Sequence, residues 1–171
     1  MRTPCFLAAA TIALAACQAA ETPEQMEARM RAESDSARVA ITSTAAAFMR
    51  YANASQADSL ATLYVENALL MPPNMAPARG RAAIQATFAG MMAAAPVTLH
   101  LVPGSVVANG PIAVESGRYH LTMQPPAPAP AVVDSGKYLV HWHRVNGTWQ
   151  LAEDIWNSDV PLAPPAPARR R

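Results

Sequence analysis

Glu153, His141 and His143 are the residues of this chain whose type and spacing could do chemistry. Asn146-Gly147 is a tight-turn signal. If it closes a two-residue turn, Val145 pairs with Thr148, Arg144 with Trp149 and Trp142 with Leu151. The side chains then divide between two faces. Tyr138, Val140, Trp142, Trp149, Leu151 and Ile155 share an apolar face, while Lys137, His141, His143, Gln150, Asp154 and Trp156 share a polar one. Glu153 and Asn157 fall on the apolar face. A carboxylate there must find a partner, meet a ligand or stay protonated, which makes Glu153 the weak candidate for a proton carrier. An ion pair with an arginine such as Arg118, or exposure at the sheet margin, would leave it structural. A bulge in either strand exchanges the faces and promotes Asp154 and Trp156 instead.

His141 and His143, two apart on one strand, point to the same side and could chelate a metal if a third ligand approached. His100 and His120 also fall in predicted strands. The turn register puts His141 and His143 on the polar face beside Gln150, so solvated histidines are expected, with no metal and no cofactor. The serines lack a histidine and acid arrangement, and no Gly-rich phosphate loop is present. Both cysteines, Cys5 and Cys17, lie at the start of the chain, which removes thiol and disulfide chemistry from the folded part. A formal charge of +1, lowered by one when a leader carrying Arg2 is removed, is no footprint for nucleic acid. Arg169-Arg170-Arg171 reads as a solvated tail.

The elements that must position these residues change character along the chain. Thr22-Pro23-Glu24-Gln25 is a helix start with a capping box, and Met26, Met30, Ala37, Ile41, Ala45, Phe48 and Ala52 continue it at helical period. Ser34-Asp35-Ser36 could interrupt that helix, leaving its early turns as a spacer. Asn53-Ala54-Ser55 ends it, and a short second helix is expected over Asp58 to Tyr64. Ala68 to Met71 is a short extended piece, after which Pro72, Pro73 and Pro77 forbid regular structure until Gly80. A third helix follows over Arg81 to Ala94, with Ile84, Phe88 and Met91 on one side, and Pro96 closes it. From Val97 the period becomes two, giving strands over Val97 to Val102, Val106 to Ala108, Ile112 to Met123, Val132 to Val145 and Thr148 to Asn157. Helices first and strands after argue for an α+β domain with an antiparallel sheet covered by helices on one face. The chain's 171 residues hold one such core.

The first residues read as a leader. Arg2 supplies the positive start and Phe6 to Leu14 an apolar stretch too short to span a bilayer. Leu14-Ala15-Ala16-Cys17 resembles a bacterial lipobox, which implies cleavage after residue 16 and lipidation of Cys17. Gln18, where an aspartate would favour the inner membrane, implies an outer-membrane anchor facing the periplasm. The expected organisation is a signal over 1–16, a tether and helix start over 17–36, one domain over 37–161, and a Pro/Arg tail over 162–171. An ordinary secretory signal releasing a soluble protein is the alternative.

Several residues and the order of the elements resemble the SnoaL-like branch of the nuclear transport factor 2-like superfamily. They are Asn53-Ala54, Asp58, Leu63-Tyr64, Ala68, the Gly80 turn with Ile84 and Phe88, Gly136-Lys137-Tyr138, and Trp149 through Asp154-Ile155-Trp156-Asn157-Ser158. The resemblance implies a cone-shaped sheet covered by three N-terminal helices, a pocket inside the cone, and a homodimer through the open sheet face, where Trp156 is expected. The pocket is expected to involve Phe48, Tyr64, Met71, Tyr138, Trp142, Glu153 and Asn157, with Met49, Met75, Met91 and Met92 serving either as lining or as core. Ketosteroid isomerases of that fold use an aspartate base before a proline and a tyrosine in the first helix. Registered on Asn53-Ala54 and Leu63-Tyr64, those positions hold Pro72 and Phe48, which can neither accept nor donate the proton. The expectation is a lipid-anchored protein that binds a small, mostly apolar molecule. A lyase or isomerase using Glu153 is the second reading and a protein-partner module the third, because one scaffold hosts many activities.

Overall fold

The computed structural model describes residues 20–161, so the leader, Cys17 and the tail lie outside the described residues. Helix α1 runs unbroken over Pro23–Asn53. The capping box forms at its start: the Gln25 N–H donates to Thr22 Oγ1 at 3.3 Å and the Thr22 N–H to Gln25 Oε1 at 2.9 Å. Ser34 does not interrupt the helix, because its hydroxyl donates to the Met30 carbonyl at 2.7 Å while accepting from the Ala108 N–H at 2.9 Å. Glu33 accepts from the Gly110 N–H at 2.8 Å. The middle of α1 is thus docked on the sheet rather than free as a spacer. Its buried residues Ala37, Ile41, Ala45 and Ala52 are mostly small, which lets the helix lie close on the strands.

Three further elements precede the long strands. Helix α2 covers Ala57–Ala61, strand β1 Tyr64–Met71 and strand β2 Ala78–Arg79. The predicted second helix was therefore too long. It stops when Thr62 N–H turns back to the Ser59 carbonyl, and Tyr64 opens a strand opposite Leu151. The proline segment also yields a little regular structure, since Leu69 and Leu70 pair with Arg79 and Ala78. Helix α3 spans Arg81–Ala94 and buries Ile84 and Phe88.

Strands β3 (Val97–Asn109), β4 (Ile112–Met123), β5 (Val132–Val145) and β6 (Thr148–Ser158) complete a six-stranded sheet of order β2-β1-β6-β5-β4-β3. The two fragments expected before Asn109 form one strand with an irregularity between Pro103 and Val106. Proline is tolerated there because β3 is an edge. Neighbouring strands run antiparallel except β1 and β6, which are parallel, so the sheet is mixed. The helices cover one face. The other face carries exposed Val107, Ile112, Val114, Leu139 and Ile155. The fold is α+β, a curved sheet closed over by its N-terminal helices.

Candidate functional site

The Asn146-Gly147 turn sets the register that the sequence implies, pairing Val145 with Thr148, Arg144 with Trp149 and Trp142 with Leu151. Both turn residues have positive φ, 50° and 82°, as a two-residue hairpin of this kind requires. The register then slips by one. His141 faces Glu153 and Val140 faces Asp154, leaving Ala152 as the extra residue of a bulge. Leu151 and Ala152 are both buried, and beyond them every side chain of β6 changes face. The parallel β1–β6 pairing is irregular at the same level, between Tyr64 and Leu69.

This bulge corrects the sequence assignment of the site. Glu153 points away from the core and its side chain is 56% exposed, with Oε2 3.6 Å from His141 Nδ1. Asn157 and Ile155 are exposed as well. Asp154 takes the inward position at 6% exposure, and Trp156 turns inward with it instead of standing on the open face. His141 and His143 lie edge to face with ring centroids 4.7 Å apart, and no group of three metal-binding side chains occurs among the described residues.

Between α1, α3 and the sheet lies a cavity of about 150 Å³. Phe48 comes from α1, Phe88, Met91 and Met92 from α3, Leu99 and Leu101 from β3, and Trp142 and Trp156 from the last hairpin. Of the residues expected at the pocket, Phe48, Tyr138 and Trp142 line it. Tyr64 is fully buried behind the wall, where its ring packs with Phe48 and Phe88 at centroid distances of 6.5 and 6.1 Å. Met71 and Met75 lie outside the lining, whereas Met91 and Met92 belong to it.

Two carboxyl groups interrupt this apolar wall, and they are held differently. Glu115 on β4 is 1% exposed. Its Oε1 accepts from the Tyr138 hydroxyl at 2.8 Å and its Oε2 from Trp142 Nε1 at 3.1 Å. Gly117 makes this possible: Tyr138 lies across β4 directly over it, where any Cβ would meet the phenol ring. The mirror arrangement sits two pairs along, with Tyr119 over Gly136 and its hydroxyl on Asp134 at 2.8 Å. Burial raises the Glu115 pKa, and its two hydrogen bonds work against that rise.

Asp154 accepts one hydrogen bond, from the Tyr64 hydroxyl to Oδ2 at 2.6 Å. Its Oδ1 has no partner among the described residues, and no sealed side-chain polar atom there is left unsatisfied, so this oxygen faces the cavity. Burial pushes the carboxyl pKa up to about 6; the Tyr64 bond opposes this and the nearby Glu115 charge adds to it. The same burial, together with Asp154, keeps Tyr64 well above the ordinary phenol range and therefore a donor. A carboxyl poised near neutrality, with one free oxygen against an apolar space, can bind a donor or pass a proton.

The SnoaL-like domain family matches residues 33–153 of the 171, and the chain belongs to that family. A ketosteroid isomerase-like protein from Erwinia carotovora atroseptica has a similar structure at 17% identity and a TM-score of 0.66, covering 72% of this chain and 96% of that one. A protein from Streptomyces avermitilis, provisionally named a dehydratase of the NTF2-like family, aligns at 16% identity and a TM-score of 0.66 over 75% of this chain and 99% of its own. An NTF2-like protein with a cystatin-like fold from Novosphingobium aromaticivorans aligns at 22% identity, a TM-score of 0.61 and 80% and 89% coverage. At these identities the likeness is one of fold. No curated protein matches the chain.

Proposed function

We propose that the domain binds a small, mostly apolar molecule in the cavity between α1, α3 and the sheet. One observation carries this reading: a buried carboxyl, Asp154, turns an unpartnered oxygen toward a space that only Glu115, its own oxygens both hydrogen-bonded, shares with it as a second carboxyl in a mostly apolar wall. Burying a carboxyl beside such a space is costly for a core that serves stability alone, and it is a common way to orient a ligand. A second reading, a lyase or isomerase, is supported by the pKa of Asp154 near 6, which suits proton transfer. In that reading Asp154 takes the role that the sequence offered to Glu153. The names of the Erwinia and Streptomyces proteins point the same way, while Pro72 and Phe48 speak against the ketosteroid isomerase arrangement.

The proposal extends to location. The protein is exported and carried by a lipid on Cys17, on the outer membrane and facing the periplasm; Arg2, the apolar stretch to Leu14 and the Leu14-Ala15-Ala16-Cys17 run support it. Among the described residues no helix is long and apolar enough to cross a membrane. Labelled palmitate is expected to enter the protein and to be lost in Cys17→Ser; incorporation into neither form would remove the anchor. Native mass spectrometry of the protein purified from its own host tests the pocket. A retained mass that heat or organic solvent releases is expected, and uniformly ligand-free protein that also fails to bind single-ring aromatics would refute the reading.

A further inference from the structure

The donors and acceptors around the cavity do not balance, and the imbalance says what kind of molecule completes it. Three hydroxyl or indole donors line the space and a fourth, Tyr64, stands behind its wall, and each is already spent on a protein carboxylate: Tyr64 on Asp154, Tyr138 and Trp142 on Glu115, and Tyr119 on Asp134. Trp156, half-buried, adds a neutral N–H that makes no hydrogen bond among the described residues. Among the described residues no lysine, arginine or histidine lines the cavity. Arg81, which reaches the Tyr64 backbone, gives its guanidinium to the Tyr64 carbonyl at 2.7 Å and to Glu66 at 3.1 Å. What the wall still offers is acceptor capacity and negative charge, at Asp154 Oδ1 above all.

Two carboxyls in one apolar space without a cation are an incomplete electrostatic arrangement. A neutral ligand would fill the volume and leave the charges unanswered. An anionic ligand would add a third negative charge. An ammonium group supplies the missing counter-charge and donates to the free oxygen, while Phe48, Phe88, Trp142 and Trp156 provide aromatic surface that also favours a cation. We infer that the cavity takes a lipophilic amine, an apolar body of about one aromatic ring bearing one ammonium group that lodges against Asp154 Oδ1. This assigns a ligand class to the site proposed above and rests on that proposal.

The pH dependence follows from the groups around Asp154. Tyr64 faces it from β1, Tyr138 from β5 and Glu115 from β4, while α1 and α3 bring only apolar side chains to the cavity. The two tyrosines stay protonated, so the carboxyls alone change charge below neutrality. With a pKa of about 6, Asp154 is about one-tenth ionised at pH 5 and about nine-tenths at pH 7. An amine that stays protonated at both values gains affinity as the pH rises.

Calorimetric titration of the full chain with 2-phenylethylamine, 2-phenylethanol and phenylacetate, at pH 5 and pH 7, tests the inference. At pH 7 the amine is expected to bind at least about tenfold more tightly than the alcohol, and phenylacetate more weakly than either. Amine affinity is expected to rise about tenfold from pH 5 to pH 7. Asp154→Asn is expected to reduce the preference and the pH dependence sharply, leaving only what Glu115 contributes, while still binding the alcohol, and if that variant fails to fold the unsubstituted chain decides alone. Alcohol binding as tight as the amine's, or amine affinity that falls with rising pH, would overturn the amine assignment and leave the pocket standing. Folded protein that binds none of the three would overturn both.

Discussion

Asp154→Asn should change how stability depends on pH. In the unfolded chain the carboxyl titrates at the ordinary aspartate value of 3.8, and in the fold burial pushes it up to about 6. The folded protein therefore holds this proton more tightly than the unfolded one. The stabilising contribution is full below pH 3.8, is lost as the pH rises through the folded pKa, and becomes a constant cost above it. The gap between 3.8 and about 6 corresponds to about 3 kcal/mol, and solvent screens little of it because the group is buried. Asparagine keeps an acceptor for the Tyr64 hydroxyl and cannot ionise, so the substitution isolates the charge. Urea unfolding of both proteins at intervals from pH 4 to pH 7, followed by tryptophan fluorescence, gives the two stability curves. The variant is expected to gain on the parent protein by about 2 kcal/mol across that range, the rest of the difference lying below pH 4. A difference that stays flat, or moves in favour of aspartate as the pH rises, would refute a buried carboxyl with a raised pKa.

Gly117→Ala should be costly for its size, because the added methyl meets the Tyr138 ring and drives its hydroxyl off Glu115. A loss of about 1–3 kcal/mol in urea unfolding is expected, with altered near-ultraviolet circular dichroism, and an unchanged protein would deny the close approach. Glu153→Gln should do little: with the side chain 56% exposed, a stability change within about 0.5 kcal/mol and unaltered aromatic binding are expected, whereas loss of binding would restore Glu153 to the site. Ser34→Ala removes both the bond to Met30 and the acceptor for the Ala108 N–H, and should cost about 1 kcal/mol with faster hydrogen exchange at Ala108. No change at that amide would argue that α1 is not pinned there.

The fold was legible wherever one strong local signal had no competitor. Asn146-Gly147 fixed the first pairs of the last hairpin because positive φ at both positions suits few other residues. The bulge was harder to read. Leu151 and Ala152 are both apolar, so alternation does not say which is the extra residue, and the choice is made by the irregular parallel contact with β1 at Tyr64 and Leu69. That contact is long-range, and it decides that Asp154 and not Glu153 faces the cavity. Glu115 escaped notice because β4 is apolar on both faces: Ile112 and Val114 stand exposed while Ala113 and Glu115 are buried. A usable signal was present in Gly117 and Gly136, each facing a tyrosine on the adjacent strand, which marks the covered side of both strands. Tyr64 was misread because Leu60, Leu63 and Tyr64 keep helical period past the end of α2.

Ligand binding in this domain requires an accessible, mostly apolar cavity beside Asp154. Crystals of the protein pressurised with xenon report on it directly, since the gas binds where apolar walls enclose unfilled space. A xenon peak bounded by Phe48, Leu99, Leu121 and Trp156 is the expected result. Side chains closed over that space, or xenon bound only elsewhere, would contradict it.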